Sequence, residues 1–287
     1  MSPSVSLTVS RVLAFAGCVL ASCIFWSPLA SGQDRQWFVD PDLVWEQGSA
    51  LSVTYLEQHS PEFVERLKSV LPWVVRIEAR HSFIPNGYRS NHGSGIVLAD
   101  GRVLTARHVL EENVTDDHLE IVVTLADGRV FQAELERPGE EDWALLKITD
   151  AGNHPDILDS KIELAEPRAD QSTVLAAYPA RQGLDKQGKV RSFNKGDPAQ
   201  GIAVSQLNPA LVVSSVETLQ PMSLKPLAGF PPIGGMSGGP IFNMQGQVIG
   251  VQIAVSKTQD GNGKVLMYRI NAVPANLMSL PDCLGTQ

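Results

Sequence analysis

The chain is poor in the features that would classify it at a glance. Only three of its 287 residues are cysteine, too few for a disulfide-stapled scaffold, so the fold must be held by its core. Lysine and arginine number 23 against 31 aspartate and glutamate, a formal net charge of -8. This balance argues against a nucleic-acid-coating protein, which needs a basic footprint to displace counterions, and no nucleic-acid partner is expected. No apolar run reaches the roughly 20 residues that a membrane-spanning helix needs. The 24 glycines and 19 prolines show no G-x-y period, which excludes collagen, and there are no heptads, fixed-period repeats or low-complexity tracts. What is present is 43% hydrophobic residues with Leu, Val and Ile throughout, which excludes a disordered chain and permits a globular core.

Two of the cysteines, Cys18 and Cys23, fall in an uncharged stretch from Val12 to Trp26 that follows Arg11, and the small residues Ala30, Ser31 and Gly32 come after it. Charge, short apolar segment and small-residue end form the pattern of a secretory signal peptide over 1–32. An exported, periplasmic or secreted protein is expected, with no stable membrane span after leader cleavage. An uncleaved anchor and a lipoprotein attached through Cys23, which ends the run Leu20-Ala21-Ser22-Cys23, are the alternatives. Removal of the leader leaves Cys283 alone and the charge at -9. Asn113-Val114-Thr115 is a glycosylation tripeptide.

Residues 33–70 read as an extension without clean period up to Gln58, ending in a short helix. Ser60, Pro61 and Glu62 supply an N-cap hydroxyl, a first-position proline and a first-turn acid. Pro72 ends that helix and Val74 to Ala79 alternates as a strand. Beyond Gly93 one grammar recurs: short β-branched runs separated by turns, at Asp100-Gly101, Asp127-Gly128, Gln245-Gly246 and Asp260 to Gly263. Apolar segments flanking Asp-Gly are strong hairpin signals, and many short strands with few amphipathic helices define an all-β sandwich or barrel. A Pro/Asp/Ala-rich stretch, Glu166 to Gln171, divides 71–168 from 169–287.

Chemistry concentrates in three places. Gly234 to Pro240, GGMSGGP, presents Ser237 on a glycine-rich turn before an apolar strand, where backbone N–H groups can converge. No helix or Lys-Ser/Thr pair follows, which disfavours phosphate binding. A serine nucleophile needs a base, and the base needs an orienting group. His108 in LTARHVL sits at a core edge, whereas His81 and His92 are read as loop residues. Asp142 immediately precedes the apolar strand Trp143 to Ile148. His81, His92 and the Asp260 turn lack metal-ligand spacing, and no metal or cofactor is expected.

GSGIVLADGRVLTARHVL, EEDWALLKI and GMSGGPIFNMQGQVIGV resemble, in order and context, the His, Asp and Ser motifs of trypsin-like (chymotrypsin-fold) serine peptidases, closest in look to the bacterial HtrA-like branch. Tyr268 to Leu277 is similar to the segment that closes the catalytic domain there, so the resemblance runs from about Val70 to Leu280. It implies two six-stranded antiparallel β-barrels with the active site in the cleft between them. It also implies a catalytic triad of His108, Asp142 and Ser237, an oxyanion hole from the backbone N–H groups of Gly235 and Ser237, and polypeptide substrates. The 50 residues after Ser237 are needed to close the second barrel, so no PDZ domain is expected, and oligomeric state is left open.

Three positions depart from the family pattern. Arg107 precedes His108 where a small residue is usual, so the cation must point away from the base or shift its surroundings. Met236 replaces the acid that pairs with a newly cleaved N-terminus, so activation by that route is not expected. Pro231, Pro232 and Ile233 fill the loop that carries an acid in trypsins, implying an S1 pocket for small or aliphatic side chains rather than Arg or Lys. Two function classes follow: an exported serine endopeptidase, or a trypsin-fold binding or regulatory protein without turnover.

Overall fold

The computed structural model describes residues 52–83, 87–98, 101–110, 119–178, 181–184, 190–193, 209–229, 235–262 and 265–278. The leader, the three cysteines, Asn113 and the Pro231-Pro232-Ile233 loop lie outside the described residues.

Turn chemistry and alternation set the strands. β1 (Val74–Phe83), β2 (Gly87–Val97), β3 (Arg102–Thr105), β4 (Leu119–Thr124), β5 (Val130–Pro138) and β6 (Ala144–Ile148) close a first antiparallel barrel in the order β1-β2-β3-β6-β5-β4. β7 (Ser172–Ala177), β10 (Ala210–Leu219), β11 (Met222–Gly229), β12 (Pro240–Asn243), β13 (Val248–Gln259) and β14 (Val265–Pro274) close a second, ordered β10-β11-β14-β13-β12-β7. β8 (Arg181–Leu184) and β9 (Val190–Phe193) pair as a separate hairpin. The expected pair of six-stranded barrels is what forms. At the Asp127-Gly128 turn, Gly128 has φ 88°, a conformation that costs glycine nothing, and β4 and β5 meet across it at Thr124 and Val130.

The long apolar runs are explained by strands buried on both faces. Side chains alternate across a strand. Val75, Val97, Val103 and Leu146 fill the first barrel, while Leu175, Val212, Ile241 and Ile249 fill the second. Their neighbours Val74, Ile96, Leu104 and Leu145, together with Val174, Leu211, Phe242 and Val248, form a third cluster that joins the barrels.

The segment before β1 contributes to that third cluster. Residues 52–59 are helical, a difference from the aperiodic reading. Only Ser52 and Leu56 are fully buried there, so one polar and one apolar position leave no repeat to detect. A second helix, Pro61–Val70, starts at Pro61 as expected, but Ser60 makes no side-chain cap; its carbonyl accepts from Phe63 N–H at 3.0 Å. Leu56, Phe63 and Leu67 enter the inter-barrel cluster, each worth about 1.5–3 kcal/mol of burial. Ser52 Oγ donates to Leu211 O at 2.7 Å and Arg66 Nη1 to Met244 O at 3.1 Å, tying both helices to the second barrel. Among the described residues no helix is long and apolar enough to cross a membrane.

Candidate active site

The register of the first barrel brings two of the three chemical residues together. β3 and β6 are antiparallel neighbours with Thr105 opposite Ala144. A residue just after β3 therefore meets one just before β6 at the same barrel end. His108 follows β3 on a 3-10 turn, Arg107–Val109, one turn later than a strand end. Asp142 lies in the bend before β6, which is closed by Gly139 N–H to Trp143 O at 2.8 Å and Trp143 N–H to Glu141 O at 2.6 Å. Trp143 is buried and anchors the bend.

Asp142 receives two bonds from one residue. His108 backbone N–H donates to Oδ1 at 2.9 Å, and His108 Nδ1 lies 2.6 Å from Oδ2. An ionised carboxylate only accepts, so Nδ1 carries a proton, and it is Nε2 that holds the lone pair whenever the ring is neutral. Partial burial alone would raise the Asp142 carboxyl pKa. The imidazole bond, the backbone bond and the charges of His108 and Arg107 outweigh it and hold the group below its ordinary value. Arg107 therefore supports the pair rather than disturbing it: its Nη1 donates to Gly139 O at 2.7 Å, at the base of the bend that carries Asp142.

Ser237 arrives from the second barrel on the turn before β12. Gly235, at φ 85°, and Gly238, at φ 83°, occupy the left-handed region that glycine favours. Gly238 N–H donates to Gln252 O at 2.7 Å on β13 and Gly239 N–H to Met236 O at 2.9 Å. The turn is docked on the first barrel: Ser94 N–H donates to Ser237 O at 2.7 Å. A Cβ on Gly238 would meet Ser94 O, Thr105 Oγ1 and Ala106 N, the last two residues short of His108. Met236 is buried among apolar residues inside the second barrel.

Two histidines were misplaced by the sequence. His81 is on β1 and His92 on β2, because that hairpin extends well past the apolar alternation that marks its base. Burial pushes the His92 pKa down, against the attraction of Glu78. The sequence also missed Ser94. It accepts from Tyr178 N–H at 2.8 Å and donates to Gly235 O at 3.0 Å. The available signal was its place in Gly93-Ser94-Gly95, where added Cβ atoms would collide on both sides.

Two barrels of this topology, with a His–Asp pair on one and a glycine-flanked serine on the other, define the class of chymotrypsin-fold proteins. The chain belongs to the trypsin-like peptidase domain family, whose match covers residues 93–251 and so holds His108, Asp142 and Ser237. Among curated proteins it is similar to the serine protease HTRA1 of Xenopus laevis, 27% identical over 229 residues, 78% of this chain and 42% of that protein. It is also similar to a probable periplasmic serine endoprotease DegP-like of Halomonas elongata, 30% identical over 178 residues, 60% of this chain and 31% of that protein. The chain thus spans less than half the length of these relatives.

Proposed function

We propose that the protein is an exported serine endopeptidase with Ser237 as nucleophile, His108 as general base and then acid, and Asp142 as the group that orients the imidazole. The observation that carries this reading is the pair of hydrogen bonds from His108 to Asp142, which in the neutral ring puts the proton on Nδ1 and leaves Nε2 as the acceptor. Ser237 Oγ attacks the substrate carbonyl carbon while its proton passes to Nε2. The carbonyl oxygen takes the negative charge between the N–H groups of Gly235 and Ser237. Collapse breaks the C–N bond, His108 returns the proton to the leaving amine, and water repeats the sequence on the acyl-enzyme. Export is supported by the leader pattern over 1–32 and by a relative whose name places it in the periplasm.

A fluorophosphonate probe tests the assignment, since Ser237 Oγ must displace fluoride to form the adduct. Mass mapping of the labelled folded protein should find one adduct, on Ser237. A folded protein without that adduct would overturn the enzyme reading and leave a binding or regulatory role.

The loop read as Pro231-Pro232-Ile233 offers no acid to pair with a basic side chain. Cleavage of a peptide library is expected after small or aliphatic residues, and a preference for Arg or Lys at that position would refute an apolar S1 pocket.

A further inference from the structure

We infer that Ser94 is the positioning residue of the oxyanion turn: from the first barrel it fixes two peptide planes of the second-barrel segment that carries Ser237. The inference rests on the proposed peptidase reading and gives a role to Ser94, which lies in the GSG of the family-like motif but has none in the triad argument.

In a trans peptide the carbonyl and the following N–H point in opposite directions. Fixing one therefore aims the other. Ser94 Oγ donates to Gly235 O at 3.0 Å, which sets the Gly235–Met236 peptide. Ser94 N–H donates to Ser237 O at 2.7 Å, and Gly238 N–H at the far side of that peptide donates to Gln252 O at 2.7 Å, which sets Ser237–Gly238. The peptide between them carries the Ser237 N–H. Its orientation follows from Met236 O, held by Gly239 N–H at 2.9 Å. With both flanking planes clamped, this N–H has a single direction.

The clamp is itself held rigidly. Ser94 is fully buried. Its hydroxyl accepts from Tyr178 N–H at 2.8 Å, at the end of β7, so its own proton is committed to Gly235. Its carbonyl accepts from Thr105 Oγ1 at 2.7 Å, three residues before His108. One serine thus connects the strand leading to the base, the turn bearing the nucleophile and the second barrel. Catalytic N–H donors act only when pre-aimed at the developing charge, and a glycine at φ 85° offers little resistance to reorientation unless its carbonyl is bonded.

Ser94→Ala removes the hydroxyl and keeps the backbone bond to Ser237. Fluorophosphonate labelling at varied probe concentration separates the limiting rate of adduct formation from the half-saturating concentration. For Ser94→Ala the limiting rate is expected to fall about tenfold or more, less than loss of a direct oxyanion donor, with the half-saturating concentration unchanged. Ser94→Cys, which keeps a γ-atom able to donate but is larger and bonds weakly, should fall between Ala and wild type. A purely structural role would lower the melting temperature without this split. Either variant, folded and labelling at the wild-type limiting rate, overturns the inference, as does a loss confined to the half-saturating concentration. Failure of the wild-type protein to label would instead refute the peptidase reading itself.

Discussion

Ser237→Ala is expected to lower peptide turnover about a million-fold, and His108→Ala to lower it by a similar factor, while the double variant falls no further. The non-additivity is the informative part. In the proposed triad each residue is useful only through the next, so removing one removes the unit. Asp142→Asn is expected to cost about ten-thousand-fold, and its cause can be read from the bonds. Asp142 accepts from both His108 N–H and His108 Nδ1. An asparagine has one accepting oxygen and one donating amide, and satisfying the part-buried backbone N–H turns the amide toward Nδ1. The ring proton must then move to Nε2, where it can no longer accept from Ser237. Steady-state kinetics of the three single variants and the double variant check this; additive losses, or an Asp142→Asn enzyme within tenfold of wild type, would refute the triad assignment.

The same carboxylate gives a pH dependence with a definite sign. Its folded pKa lies below the ordinary 3.8. The stability it contributes is therefore fully present above that value and lost as pH falls through the lower folded one. Between about pH 5 and pH 2 the melting temperature of Asp142→Asn should decline less steeply than that of wild type.

Much of the fold was legible because its causes are local. Asp100-Gly101, Asp127-Gly128 and Gln245-Gly246 mark hairpins by turn chemistry alone, and each has a glycine at positive φ. Double-faced burial made Leu145-Leu146 and Val103-Leu104 continuous apolar runs, readable as strands. His108 and Asp142 were visible through the apolar context that follows them. What stayed hidden depends on contacts between distant positions. Ser94 reaches Gly235 across 141 positions and Tyr178 across 84, and nothing in GSG states which carbonyl its hydroxyl will meet. Helix 52–59 is held by contact with the second barrel rather than by its own pattern. Arg107 looked like an obstruction because its partner, the Gly139 carbonyl, is 32 positions away.

Gly238→Ala is expected to destabilise the protein by roughly 2–5 kcal/mol, combining about 1–2 kcal/mol for a left-handed residue with a Cβ and about 1–3 kcal/mol for overpacking. Against a typical total of about 5–15 kcal/mol, that is a large fraction. The position has no room to yield. Gly238 sits at φ 83°, and an added Cβ would meet Ser94 O, Thr105 Oγ1 and, at 2.8 Å, Ala106 N. Ser94 and Thr105 are fully buried and already bonded to each other, so relief requires moving the two barrels apart. That movement would withdraw the Ser237 turn from the first barrel, which carries His108, and slow fluorophosphonate labelling in whatever fraction remains folded. Gly261→Ala is the matched control, since a Cβ there meets nothing within 4 Å, and it should stay within about 0.5 kcal/mol of wild type. Denaturant melts of the two variants compare them directly. Equal midpoints for Gly238→Ala and Gly261→Ala would mean that the Ser237 turn is not wedged against the first barrel, and its docking on Ser94 and Thr105 would have to be abandoned.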